Sequence, residues 1–177
     1  MKKTITVFGS SKPLPGEEEY ESAYILGRLL AEKGFNVCCG GYYGIMEAVS
    51  KGASELGKEA IGVTVDLFNA IPNTHLTSII ECESLFDRIE KLLEIGDGFV
   101  VLRGGTGTLL ELSVIWEMIN KNLMPPKPII CFGQMWKPLI ELMDKRMEFE
   151  NRATGLINYF DNEKDCVEFL TKIFQPL

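Results

Sequence analysis

Histidine, paired cysteines, clustered basic residues and long apolar runs are all scarce in this chain of 177 residues. His75 is the only histidine, which excludes a His-rich metal site and leaves one position for the histidine of a Ser-His-Asp triad. The five cysteines form no Cys-x-x-Cys pair, and their number is odd. Several lie in apolar runs, so the pattern indicates buried free thiols in a reducing compartment.

Basic residues are outnumbered by acidic ones, 18 against 25, for a net charge of -7. A nucleic-acid partner is therefore not expected, because neutralising phosphates requires a basic face and the chain has no Lys/Arg cluster. A small anion held at one local site is compatible with this charge. No segment approaches the ~18 to 20 apolar residues of a membrane span, and the apolar run after Lys2 and Lys3 is too short for a signal peptide. These features predict a cytoplasmic protein with no membrane partner.

Strand-like and helix-like segments alternate along the whole chain. The length and the 46% hydrophobic content predict one domain over residues 1–177. Apolar runs bounded by Gly and Pro predict strands, and apolar residues at helical spacing predict helices. The predicted strands are 4–8, 35–39, 59–65, 77–81, 97–102, 129–132 and 156–160; the predicted helices are 17–33, 44–56, 84–95, a segment after 104–107 that ends near 120, 135–149 and 162–174.

Continuous apolar strands that alternate with helices predict the fold class. Such strands are buried on both faces, as in a mostly parallel sheet with helices on either side. Right-handed crossovers then give a single-domain, doubly wound, Rossmann-like α/β fold. Ligands of such sheets bind beyond the carboxyl ends of the strands. The glycine-rich loops 40–44 and 104–107 each follow a strand and precede a helix, so both are expected at that edge.

Glycine loops at helix N-termini often hold phosphates, because unpaired N–H groups and the helix dipole meet there. Neither loop has the Gly-Lys-Ser/Thr of a Walker motif, and Leu110 occupies the third glycine position of a dinucleotide fingerprint. A mononucleotide or sugar phosphate is the remaining ligand class. Two alternatives stay open: the glycines form ordinary tight turns, or Thr108 and Glu111 form a capping box at the start of a helix.

Residues 103–111, RGGTGTLLE, resemble the PGGxGTxxE signature of the LOG proteins, which are cytokinin riboside 5'-monophosphate phosphoribohydrolases. Arg103 replaces the signature proline. The family also carries an Arg-Lys pair on the preceding helix; Arg88 lies at the family's spacing of fifteen residues, and Ile89 replaces the lysine.

Two earlier segments extend the resemblance to about residues 4–135. Residues 40–48 resemble the family's GGxxGLMG loop, and residues 9–11 resemble its first nucleotide-binding turn. The resemblance implies hydrolysis of the N-glycosidic bond of a purine-type nucleoside 5'-monophosphate, AMP- or cytokinin-like, to free base and ribose 5-phosphate. It implies no metal and no cofactor.

The resemblance also implies roles for individual residues. Glu111 would supply the anion that activates water, and Arg88 would anchor the substrate and stabilise the transition state. An open alternative for Arg88 is a surface ion pair with Glu83, Asp87 or Glu90. The remaining substrate- and phosphate-binding candidates are Gly9, Ser10, Gly41, Tyr43, Gly44, Arg103, Gly104, Gly105, Thr106, Gly107 and Thr108.

The sequence is also compatible with functions other than hydrolysis. The label lysine decarboxylase, which many relatives carry, is rejected because nothing in the sequence argues for a pyridoxal phosphate site. A non-catalytic carrier of a nucleotide or of the molybdenum cofactor is the alternative, since such carriers resemble the same family, and a nucleotide sensor is a third option. The family resemblance, together with the apolar residues on several faces of the helix after residue 108, predicts a homodimer.

Overall fold

Strands and helices alternate through residues 2–174, the part of the chain that the computed structural model describes. The strands are β1 Thr4–Phe8, β2 Asn36–Cys39, β3 Ala60–Val65, β4 Ser78–Cys82, β5 Gly98–Val101, β6 Ile129–Phe132 and β7 Ile157–Phe160. The helices are α1 Glu18–Glu32, α2 Ile45–Ser54, α3 Leu85–Ile95, α4 Thr106–Asn120, α5 Lys137–Phe149 and α6 Glu163–Phe174, with one 3₁₀ turn at Asp66–Phe68. Every predicted element is present, with its ends within about two residues of the prediction.

The seven strands form one sheet in the order β4-β3-β2-β1-β5-β6-β7, and every neighbouring pair is parallel. The chain builds outward from β1 to β4 and then returns to place β5 on the other side of β1. The topological switch point therefore lies between β1 and β5, where the Ser10 amide donates to the Arg103 carbonyl at 2.9 Å. The doubly wound prediction is confirmed.

Both faces of the sheet are covered at its five central strands, which accounts for their largely apolar sequences, while the edge strand β4 is partly exposed. Val7 and Val100 pack with α1, α2 and α6 on one face. Phe8 and Val101 pack with α3, α4 and α5 on the other. None of the helices within residues 2–174 is long and apolar enough to cross a membrane.

The start of α3 is fixed by a local cap. The Ser84 hydroxyl accepts a hydrogen bond from the Asp87 amide at 3.1 Å, which satisfies one of the free N–H groups at the helix start. Arg88 follows in the same helix and is 5% exposed. The cap therefore sets the point at which the Arg88 side chain enters the protein.

Candidate active site

A buried ion pair joins α3 to α4 on one face of the sheet. Arg88 Nη1 lies 3.7 Å from Glu111 Oε1, and the two side chains are 6% and 13% exposed. This places together the two residues that the sequence singled out for chemistry. The alternative of a surface ion pair for Arg88 is wrong, because the guanidinium is buried.

The Arg88 guanidinium also contacts β3 and the loop that precedes α2. Its Nε donates to the Val63 carbonyl at 2.7 Å, and Nη2 donates to the Gly40 carbonyl at 3.2 Å. The Tyr42 ring centroid lies 5.8 Å from Cζ, within the range of a cation–π contact. A Cβ at Gly40 would lie 1.9 Å from Nη2, so any side chain there would displace the guanidinium. The absence of a side chain at Gly40 therefore leaves the space that the Arg88 guanidinium occupies.

Glu111 is not a helix cap. Gly105 is the N-cap of α4 and provides no side-chain cap, and the Leu109 amide donates to the Gly105 carbonyl at 3.0 Å. Thr108 therefore lies inside the first turn, and Glu111 lies one turn further on. The capping-box alternative is wrong because the helix begins three residues earlier than that motif requires, with Gly105 and not Thr108 as its N-cap.

Burial raises the pKa of the Glu111 carboxyl from 4.5 to about 7, and the charge of Arg88 opposes the rise without cancelling it. Both protonation states are therefore populated near neutral pH. A carboxyl with this pKa can accept a proton in one step and return it in another, as general acid–base catalysis requires. Perturbation by burial beside a charged partner is typical of functional sites.

The N-terminus of α4 is open to solvent beside this pair. With Gly105 as N-cap, the amides of Thr106, Gly107 and Thr108 have no acceptor within the helix. Gly107 and Thr108 precede Glu111 by four and three residues, so all three lie on one side of α4. Gly105, Thr106 and Gly107 are exposed. The helix start offers unpaired donors and a partial positive charge to an anion that lies near Glu111.

Gly104 has a different role from the glycines that follow it. A Cβ at Gly104 would lie 2.1 Å from Thr108 Oγ1, whereas a Cβ at Gly105 or Gly107 would meet nothing within 4 Å. Gly104 thus allows the buried Thr108 side chain to pack under the loop, and its neighbours leave the outer surface of the loop clear.

Gly9 and Gly44 allow the first turn to pack against α2. A Cβ at Gly9 would lie 2.6 Å from Ile45 Cγ2, and one at Gly44 would lie 2.5 Å from the Ser10 carbonyl oxygen. The Ile45 amide donates to that carbonyl at 2.9 Å. This packing accounts for both glycines without a ligand, so their contact with a nucleotide remains a prediction.

Gly41 and Tyr43 lie in the loop before α2. Gly41 has φ +81°, which favours glycine, and a Cβ there would lie 2.8 Å from the Thr64 methyl carbon. Tyr43 is 46% exposed, and its contact with a nucleotide also stays a prediction. Its neighbour Tyr42 is buried against Arg88, a contact that the sequence did not predict.

Arg103 lies on the other face of the sheet, away from the buried pair. Its Nη1 is 3.5 Å from Glu19 Oε1, and its Nε would lie 3.3 Å from a Cβ at Gly133. With Leu102 and Phe132 it lines a cavity of about 180 Å³ beside α1 and α6. The structure therefore does not bring Arg103 to Glu111.

Ile89 occupies the position of the family's lysine. It is 2% exposed and packs in the core between the sheet and α3, α4 and α5. This position therefore faces the core, and the pair of Arg88 and Glu111 forms without it. Within residues 2–174, no group of three or more His, Cys, Asp or Glu side chains is arranged to hold a metal ion.

A protein-family model and several curated proteins are similar to this chain. A family model described as "Possible lysine decarboxylase" matches residues 46–173. The cytokinin riboside 5'-monophosphate phosphoribohydrolase of Rhodococcoides fascians is 27% identical over 147 residues, which cover 80% of this chain and 74% of that protein. The protein of the same name from Mycobacterium marinum is 28% identical over 173 residues, which cover 93% of this chain and 91% of that protein.

A solved structure is similar over nearly the whole chain. The molybdenum cofactor binding protein of Rippkaea orientalis superposes with a TM-score of 0.78 and 23% identity, covering 99% of each chain. At this identity the likeness shows a shared fold. The family model and the curated relatives go further, and the chain belongs to the LOG family, whose model is described as "Possible lysine decarboxylase".

Proposed function

We propose that this protein hydrolyses the N-glycosidic bond of a purine-type nucleoside 5'-monophosphate, AMP- or cytokinin-like, and releases free base and ribose 5-phosphate. The observation that carries the proposal is the buried pair of Arg88 and Glu111 beside the open N-terminus of α4. The phosphoribohydrolase names of the curated relatives support the same reaction.

The reaction replaces the bond between C1' and the base nitrogen with a bond from C1' to a water oxygen. The sugar passes through an oxocarbenium-like state, which an adjacent carboxylate stabilises. Ionised Glu111 accepts a proton from the attacking water. The departing base leaves with the electron pair of the broken bond and gains the proton that Glu111 accepted from water, which returns Glu111 to its ionised form. Arg88 orients Glu111 and contributes positive charge for binding the substrate.

The phosphate would bind at the start of α4. The amides of Thr106, Gly107 and Thr108 supply three donors, and the helix dipole supplies positive charge without a metal ion. This placement predicts that a nucleoside without its phosphate is a poor substrate, because it cannot use the binding energy of the loop.

The test is free-base release from a panel of nucleoside 5'-monophosphates and the corresponding nucleosides. Wild type is expected to release base from a monophosphate and not from its nucleoside. Glu111→Gln should lose about 100-fold to 10,000-fold in kcat, the usual contribution of a general acid–base group. Glu168→Gln is the control, because Glu168 is exposed on α6 and lies outside the groove between α4 and α5. Equal rates for wild type and Glu111→Gln would contradict the role of Glu111.

A binding protein without turnover is the second candidate, because the proline and lysine of the family are replaced by Arg103 and Ile89. The pair of Arg88 and Glu111 is nevertheless in place, which favours the enzyme. A carrier would bind a nucleotide or the molybdenum cofactor saturably and release no base in the same panel.

The five cysteines, all free, support a cytoplasmic compartment.

We also propose a homodimer formed through α4 and α5. A largely apolar groove of about 530 Å³ lies between these helices, with Leu109 and Met143 more than one third exposed in it. Apolar surface of this kind is commonly covered by a partner. Light scattering should give twice the chain mass for wild type and the single mass for folded Leu109→Glu. A wild-type monomer at micromolar concentration would exclude the dimer.

A further inference from the structure

The irregular segment between β3 and β4 holds the loop that precedes α2. Asn73, which is 5% exposed, donates from its backbone amide to the Gly41 carbonyl at 2.9 Å. Its side-chain Nδ2 donates to the Gly41 carbonyl at 3.2 Å and to the Tyr42 carbonyl at 2.8 Å. Its Oδ1 accepts from the His75 amide at 3.0 Å. One buried side chain therefore satisfies two consecutive carbonyl groups of the loop.

Tyr42 is fixed at its other end as well. Its hydroxyl donates to the Val65 carbonyl at 2.6 Å and accepts from the Val65 amide at 2.9 Å. Val65 is the last residue of β3, so the phenol is held against the carboxyl end of the sheet. The ring is consequently fixed in place against the guanidinium of Arg88.

These contacts reach Arg88 through two routes. Asn73 holds the carbonyls of Gly41 and Tyr42, and the carbonyl just before them, that of Gly40, accepts from Arg88 Nη2. The ring of Tyr42 lies beside the same guanidinium. A change in the loop would therefore move both the acceptor and the ring that set the position of Arg88. The distance from Arg88 to Glu111 depends on that position.

We propose that Asn73 is a positioning residue: through the loop of residues 40–44 it sets the placement of Arg88 relative to Glu111. This inference rests on the proposed function in assigning chemistry to that pair. The hydrogen bonds of Asn73 go to the loop and to His75, so its effect on turnover is expected to pass through the loop. Small displacements of a catalytic group of this kind cost up to about 100-fold in rate.

The kinetic test compares Asn73→Ala and Asn73→Asp with Thr74→Ala, which changes an exposed neighbour. Aspartate keeps the acceptor for the His75 amide but lacks the donor to the loop carbonyls. Asn73→Asp should therefore be as impaired in base release as Asn73→Ala. Both changes at Asn73 are expected to lower kcat for base release about 10-fold to 100-fold, with KM changed much less. Thr74→Ala should match wild type. Wild-type kcat in folded Asn73→Asp would overturn the inference.

A second readout does not require turnover. Within residues 2–174, the Glu111 carboxyl interacts electrostatically with the Arg88 guanidinium from α3 and with the Cys39 thiol from β2. Moving Arg88 away removes the charge that favours ionised Glu111, so the Glu111 carboxyl should titrate at higher pH. Protein labelled with ¹³C at the glutamate carboxyl reports this directly, and Glu111→Gln assigns the signal. A purely structural loss of stability would leave the midpoint of the folded protein unchanged.

The outcomes separate this inference from the proposed function. If wild type releases no base, the proposed function fails, and the carboxyl titration still tests the role of Asn73. If wild type is active and the Glu111 midpoint is the same in wild type and Asn73→Ala, the positioning role fails alone. Should Asn73→Ala and Asn73→Asp not fold, Asn73→Ser provides the same test, because a serine hydroxyl is polar but has only one donor proton and cannot bond both loop carbonyls. An unchanged midpoint and kcat in Asn73→Ser would then overturn the inference.

Discussion

Glu111→Gln is expected to make the protein more stable above neutral pH, although it removes the proposed catalytic carboxyl. Burial raises the pKa of this carboxyl from 4.5 to about 7. Below pH 4.5 the Glu111 carboxyl is protonated in both the folded and the unfolded protein, and its contribution to stability is fully present. That contribution is lost as the pH rises towards and through 7, because the carboxyl then ionises more readily in the unfolded protein than in the folded one. Glutamine has nearly the same shape and does not ionise, so the variant avoids this loss.

The size of the effect follows from the same shift. A difference of one pKa unit corresponds to about 1.4 kcal/mol, so a rise from 4.5 to about 7 makes ionised Glu111 cost about 3 kcal/mol in the folded state. The side chain is 13% exposed, so little is subtracted for solvent screening. The variant should gain about 1 kcal/mol at pH 5.5 and about 3 kcal/mol at pH 8.5 over wild type. For a chain of this length that corresponds to a Tm higher by about 6 to 12 °C at pH 8.5.

Urea unfolding of wild type, Glu111→Gln and the exposed control Glu168→Gln at pH 5.5 and pH 8.5 measures this free energy. Other titrating groups are common to the three proteins and cancel in the comparison. The gain should appear in Glu111→Gln, grow with pH, and be absent from the exposed control. If Glu111→Gln is no more stable than wild type at pH 8.5, Glu111 is not a buried carboxyl with a raised pKa, and its proposed acid–base role loses its physical basis.

Four further substitutions test separate parts of the structure. Gly40→Ala should displace the Arg88 guanidinium, since the new Cβ would lie 1.9 Å from Nη2, and base release should fall about 100-fold in a folded protein. Gly104→Ala should weaken nucleotide binding in calorimetry, because its Cβ would overlap a threonine of α4, whereas Gly105→Ala meets open space and should keep the fold. Arg103→Ala should leave kcat within about fivefold of wild type, because it removes only a half-exposed ion pair on the other face.

The fold was largely readable from the sequence because its signals are local. Apolar strands of four to six residues, each bounded by glycine, proline or a helical pattern, predicted all seven strands and the parallel sheet. Helix ends were predicted less well. The spacing of Thr108 and Glu111 fits a capping box, but spacing alone does not fix where a helix begins. With Gly104 and Gly105 before it, α4 starts at Thr106.

The site was readable only where a motif marked it. Arg88 and Glu111 were predicted by resemblance, while their burial depends on packing between α3 and α4. Arg103 comes two residues after Val101, the last residue of β5. The turn after that strand breaks the alternation of side chains between the two faces of the sheet, so the sequence pattern does not indicate on which face Arg103 lies. The bond from Asn73 to Tyr42 joins residues 31 positions apart, and no local pattern predicts such a contact.

We propose that Glu111 and Arg88 together promote cleavage of the bond between base and ribose in a nucleoside 5'-monophosphate. The most direct measurement is chromatographic detection of free base and ribose 5-phosphate from AMP, with wild type beside Glu111→Gln. Equal amounts of the two products from wild type, with none from adenosine and almost none in the variant, are predicted. If the panel is extended to cytokinin and other nucleotides and wild type still binds them saturably without releasing base, the hydrolase proposal is contradicted and the protein is a carrier.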